Sequence, residues 1–130
     1  MNAPEQPSNP KWMTWTGWTL TIALSLLLVF SGVMKIMGPP DVAKEFTRLG
    51  YPEGKSIGIA IAELGSTVLY VIPQTSVLGA ILLTGYLGGA TATHVRVEEG
   101  FAGPVIIGIF VWLGVYLRDR RLRELVPWRR

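Results

Sequence analysis

The fold is decided by one stretch of the chain, residues 15–36, which reads WTGWTLTIALSLLLVFSGVMKI. It carries no charge before Lys35, and a hydrocarbon core of about 30 Å needs about 20 such residues as a helix. Its apolar core is too long for a signal peptide, and no A-x-A cleavage site follows it. The sequence therefore predicts a first membrane-spanning helix that stays in the chain.

Three more apolar segments follow, separated by prolines and polar turns. We predict helix 2 over residues 56–72, helix 3 over 76–95 and helix 4 over 104–117. Between the first two spans, residues 41–49 predict a short amphipathic helix, too charged to span, that lies in the membrane interface. The predicted fold class is all-α: an integral membrane four-helix bundle with a short interfacial helix between helices 1 and 2.

The chain ends differ from this core. We expect a disordered N-terminal tail over residues 1–12, a transmembrane domain over 13–117 and a basic cytoplasmic tail over 118–130. Six of the 12 Lys and Arg residues lie in that last segment. A basic run can indicate nucleic-acid binding, but directly after an apolar helix it indicates a cytoplasmic anchor. We expect a multi-pass protein of the inner membrane with both termini cytoplasmic, the lipid bilayer as partner and no nucleic acid.

Composition limits the chemistry that the chain can perform alone. Apolar residues make up 49%, the net charge is +3, and there is no cysteine. Disulfides, Fe–S clusters and thiol redox chemistry built from the chain's own residues are therefore excluded. A single histidine, His94, cannot supply two imidazoles to a haem or a three-histidine metal site. We expect no metal site.

The polar residues of the predicted spans follow one-face helical spacings. Helix 1 offers Thr21, Ser25 and Lys35, helix 2 offers Ser56, Glu63, Thr67 and Tyr70, and helix 3 offers Thr84, Thr91 and His94. With four spans, the end of helix 1, the start of helix 2 and the end of helix 3 meet on the external side. If the stripes point inward, they enclose a polar cavity there.

A carboxylate inside a membrane needs a partner, a hydrogen bond or a proton, which makes Glu63 the most informative residue. His94 is the one side chain with an unperturbed pKa near neutrality. The catalytic candidates are Glu63 and His94. The predicted ligand-binding residues are Lys35, Glu63, Thr67, Tyr70, Thr91, His94 and Arg96.

Each candidate also has a purely structural interpretation. Glu63 could form an ion pair with Lys35 that only fixes helix register. Lys35 and Arg96 could extend to the lipid headgroups, and Tyr70 could be a packing residue. On helix 3, the small-x-x-x-small pairs Gly85/Gly89 and Gly88/Ala92 favour close packing inside the bundle or, alternatively, a homodimer.

Four motifs occur in order: Phe30-Ser31-Gly32-x-x-Lys35, Phe46-x-x-Leu49-Gly50-Tyr51-Pro52, Glu63-Leu64-Gly65 and Thr93-His94-x-Arg96. In this order and spacing the chain resembles the DoxX-like family of small bacterial membrane proteins over residues 20–120. The resemblance implies a four-helix membrane domain. The family's recurrent Lys, Glu and His-x-Arg positions fall on Lys35, Glu63, His94 and Arg96, without an established catalytic assignment.

The resemblance also implies a link to membrane redox systems, because the family's name comes from a subunit of a thiosulfate:quinone oxidoreductase. Our first hypothesis is a quinone-interacting or accessory subunit, with quinone as cofactor and electrons from a membrane or soluble redox partner. More distant animal relatives look like assembly chaperones for receptor channels. The alternative hypothesis is therefore a non-catalytic assembly or interaction protein, and whether the chain is an enzyme stays open.

Overall fold

Helices account for almost all of the described chain. The computed structural model describes residues 8–129 and contains no strand in that range. The helices are α1 (Lys11–Met37), α2 (Pro40–Arg48), α3 (Lys55–Val71), α4 (Ser76–Arg96), α5 (Ala102–Arg118) and α6 (Arg120–Leu125), with one 3-10 turn at Pro73–Thr75. The all-α class predicted from the sequence is confirmed.

The helix boundaries follow the glycines and prolines of the sequence. Gly38, with φ of 60°, ends α1 in the left-handed region, and its N–H donates to the Met34 carbonyl. Gly50, with φ of 85°, has the same left-handed conformation after α2, and Pro73 comes two residues after the end of α3 at Val71. Residues 41–49 thus form the short separate helix that the sequence predicts, shifted by one residue.

Four long helices pack in a ring, with α1 beside α3 and α5, and α4 also beside α3 and α5. Their common core is apolar and includes Leu24, Leu83 and Val111, all buried. One end of the ring holds the N-terminal parts of α1 and α4 and the C-terminal end of α5. The opposite end holds the end of α1, the end of α4 and α2.

Glycines allow the closest helix contacts, but not all of those predicted. A Cβ built at Gly79 would lie 2.2 Å from the Tyr70 nitrogen, so α3 and α4 approach there backbone to backbone. Gly17 of α1 similarly meets the Gly114 carbonyl of α5. In contrast, nothing lies within 4 Å of the Cβ positions of Gly85, Gly88 and Gly89. The expectation that these three pack closely inside the bundle is therefore wrong.

Helical structure extends beyond the predicted spans at both ends of the described range. Helix α1 begins at Lys11, inside the segment 1–12 that was expected to be a tail, and residues 1–7 lie outside the described range. Asn9 donates through Nδ2 to the Leu117 carbonyl at 3.0 Å, which ties the start of the chain to α5. The basic tail contains α6, whose N-cap Asp119 accepts from the backbone of Arg121 and Leu122. Burial of Leu122 holds α6 against the bundle.

Two helical segments within residues 8–129 are long and apolar enough to cross a membrane, Lys11–Met37 and Pro73–Arg96. Helix α5 is apolar but has 17 residues, and α3 also has 17. Large apolar side chains nevertheless point away from the core on every long helix, among them Phe30, Ile61, Ile81 and Ile109. This distribution is that of a bundle whose outer surface meets an apolar surrounding.

The contact at Gly79 gives a stability prediction. Gly79→Ala should lower the free energy of unfolding by about 1–3 kcal/mol, because the added methyl overlaps the α3 backbone. Gly88→Ala is the matched control on the same helix, where helix propensity alone favours Ala by up to about 1 kcal/mol. Thermal unfolding in detergent measures both, and equal melting temperatures would contradict the close α3–α4 packing.

Candidate functional site

An ion pair between α1 and α3 lies at the centre of the candidate site. The Lys35 Nζ is 2.7 Å from the Glu63 Oε2, and the Glu63 side chain is 1% exposed while that of Lys35 is 16% exposed. Lys35 also donates to the Ser31 Oγ at 2.6 Å, one helical turn earlier. Lys35 therefore turns inward to the carboxylate rather than outward to the headgroups, and the ion pair suggested by the sequence is confirmed.

The surroundings of Glu63 are built from α3 and α4. Thr67 is buried one turn later, and its hydroxyl donates to the Glu63 carbonyl at 2.7 Å. Tyr86 of α4 is close enough to interact with the Glu63 carboxylate, and the Lys35 Nζ lies 5.8 Å from the centroid of its ring. The Glu63 carboxylate is therefore shielded from solvent, and its interaction with Lys35 is stronger than it would be in water.

A cavity of about 500 Å³ opens beside the ion pair, between α2 and α4. Lys35, Tyr86, Thr93 and His94 bring polar groups to its wall. Gly85 and Gly89 leave the space open because they have no side chains. We call this space the α2–α4 cavity.

Helix α2 and the residues after it cover the cavity. We call residues 40–51 the cap. It contributes Phe46, Leu49 and Tyr51 to the cavity wall, together with the carboxylate residue Glu45. The Phe46 and Tyr51 rings stack at a tilt with centroids 5.4 Å apart. The cap thus closes one side of the cavity with aromatic and aliphatic groups.

Polar contacts fasten the cap to α4 and to the loop after it. The Tyr51 hydroxyl and the Thr93 hydroxyl are 2.8 Å apart, and Arg96 donates to the Leu49 carbonyl. Arg48 forms ion pairs with Glu45 of its own helix and with Glu99. These contacts hold the cap at the end of α4, although the Arg48 pairs are exposed and contribute little stability.

We call Arg48, Glu45 and Glu99 the Arg48 cluster, and it lies outside the apolar spans. The hydrogen bond from Arg48 holds the pKa of the Glu45 carboxyl below its usual value. The bonds to Glu45 and Glu99 in turn raise the pKa of the Arg48 guanidinium. Glu45 and Arg48 therefore stay charged near neutral pH.

His94 faces the cavity with its tautomer fixed by the helix. Its Nδ1 is 2.7 Å from the Ala90 carbonyl oxygen, which can only accept, so Nδ1 carries a proton. Nε2 is then the hydrogen-bond acceptor of the neutral ring. Within residues 8–129 no hydrogen bond joins His94 to Glu63, so the two catalytic candidates border one site without touching.

The remaining predicted residues lie elsewhere. Tyr70 is fully buried at the other end of the bundle, where its hydroxyl donates to the Val111 carbonyl at 2.8 Å. Thr91 donates to the Leu87 carbonyl of its own helix. Thr84 lies on the exposed face of α4 and accepts from the Trp112 indole. Arg96 fastens the cap. Of the predicted set, Lys35 and His94 line the cavity. Glu63 contacts Lys35, and Thr67 lies one turn further along α3.

Five polar residues of the site were not among the predicted site residues, although three of them stand in the quoted motifs: Ser31, Glu45, Tyr51, Tyr86 and Thr93. Two signals were available. Ser31 precedes Lys35 by four residues, and Tyr86 and Thr93 are seven residues apart, so each pair shares a helix face. Thr84 and Thr91 have the same spacing, and spacing alone does not say which of the two faces of α4 points inward.

These features define a class: a small all-helical membrane protein with a buried ion pair beside a capped cavity. A family model described as the DoxX-like family matches residues 19–114, and the chain belongs to that family. The family match and the two long apolar helices together indicate a membrane protein. No curated protein and no solved structure matches the chain.

The ion pair gives the second stability prediction. Lys35→Met leaves the Glu63 carboxylate buried and unpaired, which should cost about 3–5 kcal/mol of unfolding free energy. Glu63→Gln should cost less, because Lys35 is more exposed and can extend to the headgroups. The double variant Lys35→Met/Glu63→Gln should recover most of the loss.

Chemical denaturation in detergent provides the measurement, analysed as a double-mutant cycle. Lys44→Met, at an exposed position of α2, is the matched control for loss of one positive charge. If the losses of unfolding free energy in the two single variants simply add in the double variant, the interaction between Lys35 and Glu63 is not their cause.

Proposed function

We propose that the α2–α4 cavity binds a quinone or a similar amphipathic ring and that the protein is an accessory subunit of a membrane redox system. The single observation that carries the proposal is the cavity itself, about 500 Å³ in volume, with apolar cap residues on one side and Lys35 and His94 on the other. Pockets for organic ligands have this size and this mixture of apolar walls and few polar groups.

The residues fit the chemistry of a quinone head group. Its reduction adds two electrons and two protons and converts each ring carbonyl to a hydroxyl. The Lys35 ammonium is a donor suited to a carbonyl oxygen that gains negative charge, and the His94 Nε2 can exchange a proton with it. The electrons would come from a partner, since the chain has no cysteine of its own.

Glu63 has a positioning role in this proposal. Its carboxylate holds the Lys35 ammonium at 2.7 Å and so fixes the donor at the cavity wall. The Ser31 hydroxyl restricts the same ammonium from the α1 side. Without the carboxylate the flexible lysine side chain is free to leave the cavity, because four rotatable carbons separate its charge from the helix.

We further propose that α1, α3, α4 and α5 all cross the inner membrane, with both termini in the cytoplasm. All four helices expose large apolar side chains, and the arginine-rich tail lies at the same end of the bundle as the start of α1. At 17 residues, α3 and α5 are about 25 Å long. Local thinning of the bilayer and extension of the flanking Lys55 to the headgroups compensate for the few missing ångströms.

The test is quinone binding to the purified protein, measured with a short-chain quinone by quenching of tryptophan fluorescence. Gly89→Leu starts from a Cβ position with no neighbour within 4 Å, places an apolar side chain at the cavity wall and should weaken binding at least tenfold. Gly88→Leu is the matched control, because Gly88 is exposed, does not line the cavity and is also free of neighbours. Glu63→Gln and His94→Ala should weaken binding several-fold.

Equal binding by the parent, Gly89→Leu, Glu63→Gln and His94→Ala would remove the quinone proposal. The assembly alternative makes a different prediction for the same variants. If α4 docks a partner through its exposed glycine face, Gly88→Leu should abolish recovery of that partner while Glu63→Gln leaves recovery intact. Comparison of Gly88→Leu with Gly89→Leu therefore distinguishes a ligand site from a docking surface.

A further inference from the structure

A second polar site lies at the opposite end of the bundle, around Arg118 at the end of α5. Its guanidinium donates from Nη1 to the Ser76 hydroxyl at 2.9 Å and from Nη2 to the Tyr70 carbonyl at 2.8 Å. The Trp18 ring lies 4.4 Å from the guanidinium carbon. Arg118 is therefore held in one place by three other helical positions, although it stands at a helix end where arginines are usually mobile.

The charge of Arg118 is not neutralised within the described part of the chain. No carboxylate oxygen of residues 8–129 lies within 4 Å of its guanidinium. The neighbouring Asp119 uses its Oδ1 to accept the backbone N–H groups at the start of α6. In addition, the Nε of Arg118 is buried and has no acceptor. The guanidinium of Arg118 therefore keeps its positive charge at this end of the bundle, where it can attract an anion.

A pocket of about 400 Å³ opens beside this arginine, and we call it the Arg118 pocket. It is lined by Trp18, Ser76, Arg118, Asp119, Arg120 and Arg121. Three arginines and one aspartate therefore border the opening, and the Arg120 guanidinium also lies 3.9 Å from the Glu124 carboxylate. The exposed rings of Trp12 and Trp15 lie on the same helix as Trp18, toward the same end of the bundle.

We propose that the Arg118 pocket binds the phosphate group of an anionic lipid of the cytoplasmic leaflet. The planar fork of an arginine matches phosphate oxygens, and several arginines together give selectivity over zwitterionic headgroups. Tryptophan is enriched at headgroup depth, and basic pockets between helices on the cytoplasmic side are suited to anionic headgroups. A free phosphate ion offers the same oxygens but lacks acyl chains to lie on the apolar outer faces of α1 and α4.

Native mass spectrometry of the full-length protein tests this inference. The protein is released from detergent with dioleoylphosphatidylglycerol, dioleoylphosphatidylcholine or inorganic phosphate, and the bound fractions are compared. We expect retention of the phosphatidylglycerol and little retention of the other two. Arg121→Gln should weaken phosphatidylglycerol binding about fivefold, in line with the usual contribution of one basic residue to anionic lipid binding.

Arg129→Gln is the matched control, because it removes the same charge from the same tail outside the pocket. Arg121 is chosen over Arg118 because its side chain makes no contact that the fold depends on, whereas Arg118 holds α5 to α3 and α4. Equal losses of phosphatidylglycerol binding in the two variants would show nonspecific electrostatic attraction and would contradict a binding site in the Arg118 pocket. Binding of inorganic phosphate with the same dependence on Arg121, and without lipid retention, would overturn the assignment to a lipid.

Discussion

An ionised carboxylate in an apolar helix bundle must have a partner, and the rest of this structure is arranged around that requirement. Glu63 is almost fully buried in α3 and meets Lys35 of α1 at 2.7 Å. An isolated charge at this position would cost far more than one hydrogen bond can return. The pair therefore fixes the register of α1 against α3, and it places an ammonium at the wall of the α2–α4 cavity.

Buried polar groups have different partners at the two ends of the bundle. At the cavity end, opposite charges meet, and the cap adds a cover fastened by Tyr51, Arg48 and Arg96. At the other end, Arg118 is bound by a hydroxyl, a carbonyl and an aromatic ring, with no carboxylate within 4 Å in residues 8–129. The first arrangement suits a neutral ligand that gains charge, and the second suits a ligand that is already an anion.

Much of the fold can be predicted from the sequence, because apolar runs, prolines and glycines mark the helices within a few residues. The inward face of α3 can also be predicted, since Glu63, Thr67 and Tyr70 share one stripe and are buried. The rotation of α4 about its own axis cannot be predicted in this way. The stripe through Thr84 and the stripe through Tyr86 have the same spacing, and only packing against the other helices distinguishes them. Helix α6 was missed because its six residues depend on a cap and one buried leucine.

The topology of the chain in the membrane is the most direct test of the central claim. Because the sequence has no cysteine, each introduced cysteine is the only one that can be labelled. Single cysteines at the exposed positions Ser8, Glu53, Gly100 and Arg129 would be labelled with an impermeant maleimide in intact cells and in inverted membrane vesicles. The account predicts labelling of Glu53→Cys and Gly100→Cys only from outside, and of Ser8→Cys and Arg129→Cys only in the inverted vesicles. Labelling of the two chain ends from opposite sides would contradict it.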